Sequence, residues 1–520
     1  MEPCIPLPLA DGNTLKELIQ KAKDWAIMHG AGMRSKDSFS PDSINFAPFM
    51  LLPSTFPRCE FERAVGIQPV LNELMHKVAH DYDFLKNSLE TTIKVDEFTG
   101  RLFNIYETVR AEGITQPFSL GLLRSDLMLE TDWRKCHSED PATSAPYCCW
   151  KQVEDVSLAL LRSDYFVDQS LFVAKQVEIN TISSSFGALS NVLVDLHRFV
   201  LTELGHLTEL RNLPDNNALE GLCGGMLSAW KVYNQPMSAI LFVIEDVTYN
   251  ICDQRFHEFE IQRQNAKVRV IRNTLTEIAT IGKLDNEKRL FLNDTEIAVV
   301  YFRAGYTPDH YYSETEWNAR LLIERSLAIK CPSIQYHLTG TKKVQQELAR
   351  PGMLDKYLTP DKVESVKEIF TGLYSLGKDE VGDKAMQMAL ENPTRFVLKP
   401  QREGGGNNMY GENVKSYLEK IKDSDERSAW ILMERINPPV QTNYMIRPNI
   451  QGPIVTEVVS ELGIFGVVLG NADTILENTQ VGHMLRTKIS SADEGGVAAG
   501  FGALDSVYLV DIGKAPKKHV

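Results

Sequence analysis

Short apolar runs rich in β-branched residues alternate with amphipathic helical segments through the middle of the chain. The runs at 239–244, 268–271 and 297–302 have the length and composition of buried strands. A helical pattern follows at 316–328, where apolar residues interleave with charged ones. Strands that alternate with helices in this way predict an α/β fold.

The two ends of the chain add further elements. Apolar residues at helical spacing predict helices over 14–29 and 69–89. Towards the other end, a helical stretch lies among short apolar runs, which predicts a separate α+β unit. The helical stretch is 412–421, and the runs around it are 395–398, 430–433 and 455–468. We therefore place domain boundaries near residues 237 and 341.

Charge and cysteine content exclude several classes of protein. The chain of 520 residues has 55 Lys and Arg against 69 Asp and Glu, a formal net charge of −14, which argues against a surface that follows nucleic-acid phosphates. Its eight Cys are scattered without a Cys-x-x-Cys pair, so neither a zinc ribbon nor a disulfide framework is indicated. A reducing, cytosolic compartment is expected. The start lacks a basic and apolar leader and no apolar run reaches the length of a bilayer span, so we expect a soluble protein without a targeting segment.

A strand that runs into a glycine triplet, Gly404–Gly406, is the strongest local signal. Glycines let backbone N–H groups approach phosphate oxygens. Lys399, Arg402 and Glu403 add two cations and a candidate metal ligand beside the loop. A phosphate-binding loop and a hairpin turn with solvated charges both fit this stretch. Walker and dinucleotide-binding glycine motifs are absent, so nucleotide binding requires another fold.

Glu178 and Asn180 are two residues apart in an apparent strand, so both side chains leave the same face and can converge on one hard cation. Glu403 supplies a third oxygen ligand in this interpretation. The alternative is that Glu178 and Asn180 face solvent on a half-buried strand. Ser183 and Ser185, which follow, fit turn positions equally well.

Charged residues end three other stretches. The apolar strand 430–433 ends at Glu434 and is the kind of edge whose backbone can pair with an adenine, although a core strand is the simpler alternative. Arg303 follows a strand and Arg486 follows a loop. Each guanidinium can hold a carboxylate bidentately, and each can equally contact only solvent.

A local internal repeat precedes the strand that contains Glu178. The segment 119–126 recurs as 157–164, and 151–154 recurs as 175–178. Only the second copy continues directly into Glu178 and Asn180. The repeat is too short to be a solenoid unit.

Together these stretches resemble the eukaryotic glutathione synthetase family of ATP-grasp ligases. The resemblance implies an ATP-grasp fold with an inserted α/β substrate-binding domain and a glycine-rich lid. Its motifs are long, distinctive and in order over nearly the whole chain: 175–187, 253–255, 299–306, 340–348, 396–411, 460–466 and 482–500. By this resemblance, residues 1–236 form the N-terminal part of the ATP-grasp body, with a duplication at about 119–178. Residues 237–340 form the substrate-binding domain, and residues 341–520 the nucleotide-binding and lid region.

The resemblance implies ATP-dependent ligation of γ-glutamylcysteine and glycine through an acyl phosphate, giving glutathione, ADP and phosphate. It implies Mg²⁺ as cofactor with ATP as co-substrate, a cytosolic homodimer, and neither nucleic acid nor membrane as partner. Catalysis by positioning and charge neutralisation needs no nucleophile–base pair, which suits the residue types that match.

The family's functional residues carry over position by position. The implied metal ligands are Glu178, Asn180 and Glu403, and the implied catalytic residues are Lys399, Glu403 and Arg486. The implied ATP-binding residues are Glu178, Lys342, Lys399, Glu403, Gly404, Gly405, Gly406, Asn407, Asn408, Tyr410, Met433, Glu434, Arg435, Ile436, Glu461, Lys488 and Glu494. The implied substrate-binding residues are Arg124, Arg162, Ser183, Ser185, Asn250, Gln254, Arg303, Tyr306, Arg486, Val497 and Ala498.

Two positions depart from the family pattern. Thr248 stands where the family commonly has Glu beside the substrate, which removes a carboxylate that can meet an ammonium group, and Glu494 replaces an Asp near the ATP site. The duplication leaves two Arg candidates for one substrate position. We expect Arg162 to bind substrate, with the first copy extruded, because its loop to Glu178 is shorter and Tyr165 follows it; Arg124 stays the alternative.

Two other functions stay open. The duplication can leave a catalytically impaired variant of the same fold that acts through dimerisation. A sister ligase can use another amine acceptor such as β-alanine, although residues 497–499 resemble the glycine-using form.

Overall fold

The computed structural model describes residues 1–9, 12–35, 38–131, 172–403, 405–450, 454–497 and 501–511. Three of the predicted site residues, Arg162, Gly404 and Ala498, lie outside the described residues. Helices and strands mix along the whole described chain, which confirms the predicted α/β class.

The helices in the described part of the chain vary from six to 22 residues in length. None of them is long and apolar enough to span a bilayer. They are α1 (Gly12–Met28), α2 (Arg58–Ala79), α3 (Tyr82–Leu89), α4 (Glu97–Glu112), α5 (Gly187–Glu203), α6 (Ala218–Tyr233), α7 (Ile251–Gln264), α8 (Leu275–Ile281), α9 (Glu314–Glu324), α10 (Ile334–Thr339), α11 (Lys342–Leu348), α12 (Pro360–Ile369), α13 (Glu380–Glu391) and α14 (Glu412–Ile421).

Within the described residues, the strands form three sheets of four or more strands and two short pairs. They are β1 (Gly32–Met33), β2 (Asn45–Phe46), β3 (Phe49–Met50), β4 (Ser54–Pro57), β5 (Ser119–Thr131), β6 (Phe172–Asn180), β7 (Ala239–Val243), β8 (Arg269–Asn273), β9 (Gly282–Leu284), β10 (Leu290–Leu292), β11 (Thr295–Phe302), β12 (Ile329–Cys331), β13 (Leu373–Ser375), β14 (Phe396–Pro400), β15 (Met409–Tyr410), β16 (Trp430–Glu434), β17 (Gln441–Ile446), β18 (Ile454–Gly470), β19 (Ile475–Ile489), β20 (Gly502–Asp505) and β21 (Val507–Val510).

The largest sheet combines both ends of the chain, in the order β17-β3-β20-β19-β18-β5-β6. The prediction that 455–468 belongs to a separate α+β unit is therefore wrong. This segment lies in β18, which pairs with β19 on one side and with β5 on the other. Its near-continuous apolar run, Ile464 to Leu469, fits a strand buried on both faces.

Two smaller sheets flank the large one. The six-stranded sheet has the order β8-β7-β11-β10-β9, with β12 beside β11, and its strands β8, β7, β11 and β12 run parallel. The four-stranded sheet has the order β13-β16-β14-β15 and shares an apolar core with α13 and α14. The boundaries near residues 237 and 341 stay a prediction.

The first copy of the repeat lies in the centre of the large sheet. In β5, Arg124 is opposite Phe465 of β18 and opposite Asn180 of β6. The prediction that this copy is extruded is therefore wrong. A loop-closure difference of about 1 kcal/mol is small beside hydrogen bonding to two neighbouring strands and the burial of the five leucines of β5. These are Leu120, Leu122, Leu123, Leu127 and Leu129.

The helix predicted over 69–89 is two helices in the structure. Helix α2 begins eleven residues earlier, at Arg58, and contains Pro69 in its interior. It ends at Ala79, and α3 starts after Asp81, whose side chain accepts a hydrogen bond from the Phe84 N–H at 2.9 Å. The capping aspartate, which the periodicity did not take into account, separates the two helices.

Candidate active site

One large cleft, of about 890 Å³, lies where the three large sheets meet. It brings together nearly all of the described residues that the sequence singled out. Gly406 is beside it and not in its lining. The predicted site residues that line the cleft are Arg124, Glu178, Asn180, Ser183, Ser185, Asn250, Gln254, Arg303, Tyr306, Lys342, Lys399, Glu403, Gly405, Asn407, Asn408, Tyr410, Met433, Glu434, Arg435, Ile436, Glu461, Arg486, Lys488, Glu494 and Val497.

A lysine between two carboxylates forms the centre of the cleft. Lys342, the first residue of α11, has its Nζ 3.1 Å from Glu178 Oε2 and 2.8 Å from Glu403 Oε1. Glu178 comes from β6, and Glu403 comes from the loop after β14. The Lys342 side chain is only 5% exposed, so the three charged groups are held together in a largely desolvated place.

The two carboxylates have different electrostatic surroundings. Burial raises the pKa of Glu178, but three nearby cations outweigh burial and hold that pKa well below its ordinary value: Lys342, Lys399 and Arg486. Burial also raises the pKa of Glu403, and repulsion by Glu178 adds to the rise, so the pKa of Glu403 reaches about 7 despite Lys342. The cleft therefore contains one firmly ionised carboxylate beside one that is held back from ionising.

Oxygen donors dominate this part of the cleft. Glu178 and Glu403 contribute carboxylates and Asn180 an amide oxygen, a donor set that suits a hard divalent cation such as Mg²⁺. The raised pKa of Glu403 fits such a cation, because a second positive charge would relieve the repulsion between the two carboxylates. In the described part of the chain, no group of three or more His, Cys, Asp and Glu side chains is placed to hold a metal ion. A site here therefore depends on Asn180 and on ligand oxygens.

Two further cations lie near this centre. The Nζ of Lys399 donates to the Val177 carbonyl at 3.0 Å, and burial lowers its pKa. Arg486 of β19 forms an ion pair with Glu461 of the neighbouring strand β18. Burial raises the pKa of Glu461, so this carboxyl depends on the Arg486 guanidinium for its charge.

Asp126 is a functional candidate that the sequence did not identify. Its two oxygens accept from Arg124 Nε and Nη2 at 2.6 and 2.7 Å, and Oδ2 also accepts from Asn180 Nδ2 at 2.9 Å. Arg486 Nη2 is 3.5 Å away. The Asp126 side chain is fully buried, so it fixes three cleft residues in place. The recurring Arg-Ser-Asp motif was the only available signal for this role.

Arg303 lies between two serine hydroxyls at another wall of the cleft. Its Nη1 donates to Ser183 Oγ at 2.6 Å and its Nη2 to Ser185 Oγ at 2.8 Å. Asp253, at the start of α7, is 3.8 Å from Nη2 and accepts backbone N–H groups at the start of α5. The guanidinium is therefore oriented by two neutral hydroxyls, with the Asp253 carboxylate as a more distant ion-pair partner.

The glycine-rich loop closes one side of the cleft. Gly405 and Gly406 have φ values of +73° and +78°, a region that favours glycine. The Gly406 N–H donates to Glu494 Oε2 at 3.2 Å, and the Tyr410 hydroxyl is 3.4 Å from Glu494 Oε1. Arg402 fastens the loop to the body through Asp96 at 2.6 Å. Glu494 thus reaches the loop.

The strand that the sequence analysis considered as an edge for an adenine lies inside a sheet, and adenine contact by residues 433–436 stays a prediction. Strand β16 lies between β13 and β14, and Met433 has a partner on each side. The Glu434 and Arg435 N–H groups donate to Gly372 and Arg395 carbonyls, both at 2.8 Å. β13 has only three half-buried residues, which is too short a pattern to predict from sequence. Ile436, beyond the strand, is the first residue of this stretch outside the backbone hydrogen bonding of the sheet.

The comparisons with known proteins agree on one family. A model of the family described as eukaryotic glutathione synthase, ATP binding domain, matches residues 12–154 and 144–509. Glutathione synthetase of Xenopus laevis is 44% identical over 505 residues, covering 96% of this chain and 98% of the relative. The Homo sapiens enzyme is 43% identical with the same coverage. A chloroplastic glutathione synthetase of Arabidopsis thaliana is 36% identical over 519 residues, covering 98% of this chain and 88% of the relative.

A solved structure shares the fold. The apo form of a glutathione synthetase like-effector (GSS30) from Globodera pallida has a TM-score of 0.73 and 24% identity, covering 98% of this chain and all of that chain. At this identity the likeness shows the fold alone. The family that the sequence motifs predicted is confirmed by the family model and the curated relatives.

Asp126 provides a test of the cleft's electrostatic construction. We expect Asp126→Ala to lower the free energy of unfolding by about 3–5 kcal/mol, because it leaves the buried Arg124 guanidinium without its partner. Asp195→Ala is the matched control, since it removes an Asp from an exposed ion pair with Arg198 at 3.0 Å and should change stability by less than about 1 kcal/mol. Chemical denaturation measures both. Equally small changes in the free energy of unfolding would show that Arg124 does not depend on Asp126 as its buried partner.

Proposed function

The chain belongs to the eukaryotic glutathione synthase family, and from that premise we propose how its cleft works. The protein is a glutathione synthetase, an ATP-dependent ligase that joins γ-glutamylcysteine and glycine. The observation that carries the proposal is the Lys342 ion pair with Glu178 and Glu403 inside a cleft that has further Lys and Arg side chains. Such a site neutralises and positions anions, which is the chief requirement of phosphoryl transfer.

The reaction proceeds through an acyl phosphate. An oxygen of the cysteinyl carboxylate attacks the γ-phosphorus of ATP, and the bond from that phosphorus to the bridging oxygen breaks, releasing ADP. The neutral amine of glycine then attacks the acyl carbon. The bond from the acyl carbon to the phosphoryl oxygen breaks, inorganic phosphate leaves, and the nitrogen loses a proton to form the amide. Neither step requires a nucleophile from the chain, so binding and orientation account for catalysis.

One group of cleft residues binds ATP, and another binds the dipeptide. Lys342, Lys399 and the glycine-rich loop bind the phosphates of ATP, and the loop excludes water from the acyl phosphate. Arg303, held by its two serines, binds the dipeptide. Arg486 lies between the two groups beside Glu461 and neutralises the cysteinyl carboxylate as the phosphoryl group arrives. Tyr410, Lys488 and Glu494 surround the nucleotide.

Mg²⁺ is the proposed cofactor, held by Glu178, Asn180 and Glu403. When bound, it neutralises phosphate charge and orients the transferred group. Lys342 holds the same two carboxylates, and it keeps Glu178 and Glu403 close enough to act on one cation.

Homodimerisation and a cytosolic location complete the proposal. Exposed apolar side chains occur on α1, beside β2 and on α7, namely Met28, Ile44 and Phe259. Ile44 packs against Gly32, and Phe256 of α7 packs against Gly30. An apolar face of this kind suits a second copy of the chain. The five described cysteines are free thiols, as expected in a reducing compartment.

Release of ADP tests the proposed activity. With γ-glutamylcysteine, glycine and ATP, we expect ADP and glutathione in equal amounts. Without γ-glutamylcysteine we expect no ADP, and without glycine no sustained ADP release, because at most one acyl phosphate can form in each active site. Under the same conditions, Glu403→Gln should lower turnover by about 100-fold or more, because it removes a charge from the metal site. The unfolding midpoint should change little, since a neutral amide resembles the protonated carboxyl that the raised pKa favours.

Glu412→Gln serves as the matched control for this variant. Glu412 is exposed at the start of α14, so its loss should leave turnover unchanged. Near-normal turnover of Glu403→Gln in saturating Mg²⁺ would refute the assignment of Glu403. Turnover with β-alanine but not glycine would support the sister ligase, and no turnover with any acceptor would support the impaired variant.

The two copies of the repeat are compared by the same substitution in each. Arg124 Nη1 donates to the Ser185 carbonyl at 3.1 Å in the cleft. Arg124→Lys should raise the KM for γ-glutamylcysteine about tenfold, because lysine cannot keep the two parallel hydrogen bonds to Asp126 that orient this side chain. Arg162→Lys should leave this KM unchanged. Steady-state kinetics at saturating ATP and glycine measure both values. If only Arg162→Lys raised this KM, the substrate-binding arginine would be Arg162, in the second copy of the repeat.

A further inference from the structure

Glu245 is a cleft residue to which neither the sequence motifs nor the family resemblance gives a role. It lies two residues beyond β7, while Arg303 lies one residue beyond the parallel strand β11. The two strands are in register at Val243 and Phe302, and the Arg303 N–H donates to the Val243 carbonyl at 2.8 Å. A carboxylate and a guanidinium thus occupy the same carboxyl edge of a parallel sheet, where ligands of α/β proteins bind.

His310 fixes the position of the Glu245 carboxylate. The His310 Nδ1 accepts from the Gly305 backbone N–H at 2.9 Å, and the Thr307 hydroxyl lies 3.3 Å from it. A nitrogen that accepts carries no proton, so the ring's hydrogen is on Nε2. Nε2 lies 3.1 Å from Glu245 Oε1 and donates to it. The imidazole in this state is neutral, so it orients Glu245 without cancelling its charge.

The other carboxylate oxygen is available to a ligand. Among the described residues, no donor forms a hydrogen bond to Glu245 Oε2, and the Glu245 side chain is 31% exposed within the cleft lining. The Tyr306 hydroxyl is 3.5 Å from Oε1. Burial and the charge of Glu245 raise the pKa of Tyr306 to about 12, while Arg303 acts on it in the opposite direction. Tyr306 therefore lies within reach of both charges.

Thr248 is not an alternative contact for a cation. Its side chain is buried, does not line the cleft and lies 3.2 Å from Arg272 Nη2. Arg272 is itself paired with Glu258 at 2.5 Å and donates to Gln254 Oε1 at 2.9 Å. This part of the wall is thus occupied by an internal network, and Glu245 is the carboxylate that remains on the cleft side.

We propose that Glu245, oriented by His310, binds the α-ammonium group of the γ-glutamyl residue and is a specificity-determining residue for it. This inference rests on the proposed function, because it assigns one end of the dipeptide that the ligase uses. An amino-acid end carries an ammonium and a carboxylate on one carbon, and Glu245 beside Arg303 offers one opposite charge to each. Charge-assisted hydrogen bonds of this kind also reject ligands that lack the charged group.

The test compares a dipeptide and its deamino analogue on the wild-type protein and on Glu245→Gln. The probes are γ-glutamylcysteine and N-glutarylcysteine, which has hydrogen in place of the α-ammonium group. Wild type should prefer γ-glutamylcysteine in kcat/KM by about 10- to 100-fold. Glu245→Gln should lose most of this preference, with little change for N-glutarylcysteine. The KM values for ATP and glycine should be unchanged, which a merely structural role would not produce.

Asp246→Asn is the matched control. Asp246 is the adjacent acid, is exposed, and accepts from the Tyr312 hydroxyl at 3.1 Å, outside the cleft. Its substitution makes the same change in charge one residue away. The wild-type preference should persist, and its loss in Asp246→Asn would show a general electrostatic effect and overturn the assignment.

Failure of this inference differs from failure of the proposed function. If Glu245→Gln keeps the wild-type preference while glutathione is made, Glu245 is not the ammonium ligand and the ligase function stands. If wild type makes no glutathione, the affinities for the two probes are measured by calorimetry in place of kcat/KM. A preference that Glu245→Gln loses would then support the subsite without the activity. If wild type bound neither probe, both proposals would be overturned.

Discussion

The Lys342 ammonium between Glu178 and Glu403 is the interaction on which the rest of the cleft depends. Its two contacts, 3.1 and 2.8 Å, join a helix start, a strand of the large sheet and the loop after β14. Two carboxylates held close together in a largely desolvated place repel each other, and desolvation penalises each charge. A cation between them makes their proximity tolerable, and this proximity is what the proposed metal site requires.

Charges alternate from this centre through the large sheet. Arg486 and Glu461 pair across β19 and β18, and Asp126 of β5 holds Arg124, Asn180 and Arg486 nearby. Each of these four charged groups, Arg486, Glu461, Asp126 and Arg124, therefore has an opposite partner before any ligand binds. Such a preorganised site neutralises anions without large rearrangement, which suits a reaction that needs positioning more than covalent chemistry.

Local patterns predicted much of this arrangement, and non-local pairing decided the rest. The strands β7, β11 and β14 each contain a continuous apolar run and were predictable, as was the glycine-rich loop after β14. The choice between Arg124 and Arg162 was not predictable, because the two copies have nearly the same local sequence and pairing with β18 and β6 selects β5. Glu245 carries no motif at all: its role follows from the register of β7 with β11 and from a hydrogen bond to His310.

Transfer of labelled oxygen tests the central claim most directly. The cleft is proposed to activate the cysteinyl carboxylate by phosphorylation. If γ-glutamylcysteine carries ¹⁸O in both oxygens of that carboxylate, one labelled oxygen should appear in inorganic phosphate for each glutathione formed, and the other should stay in the new amide. Phosphorus NMR or mass spectrometry of the phosphate detects the label. Glutathione formed with unlabelled phosphate would contradict the account.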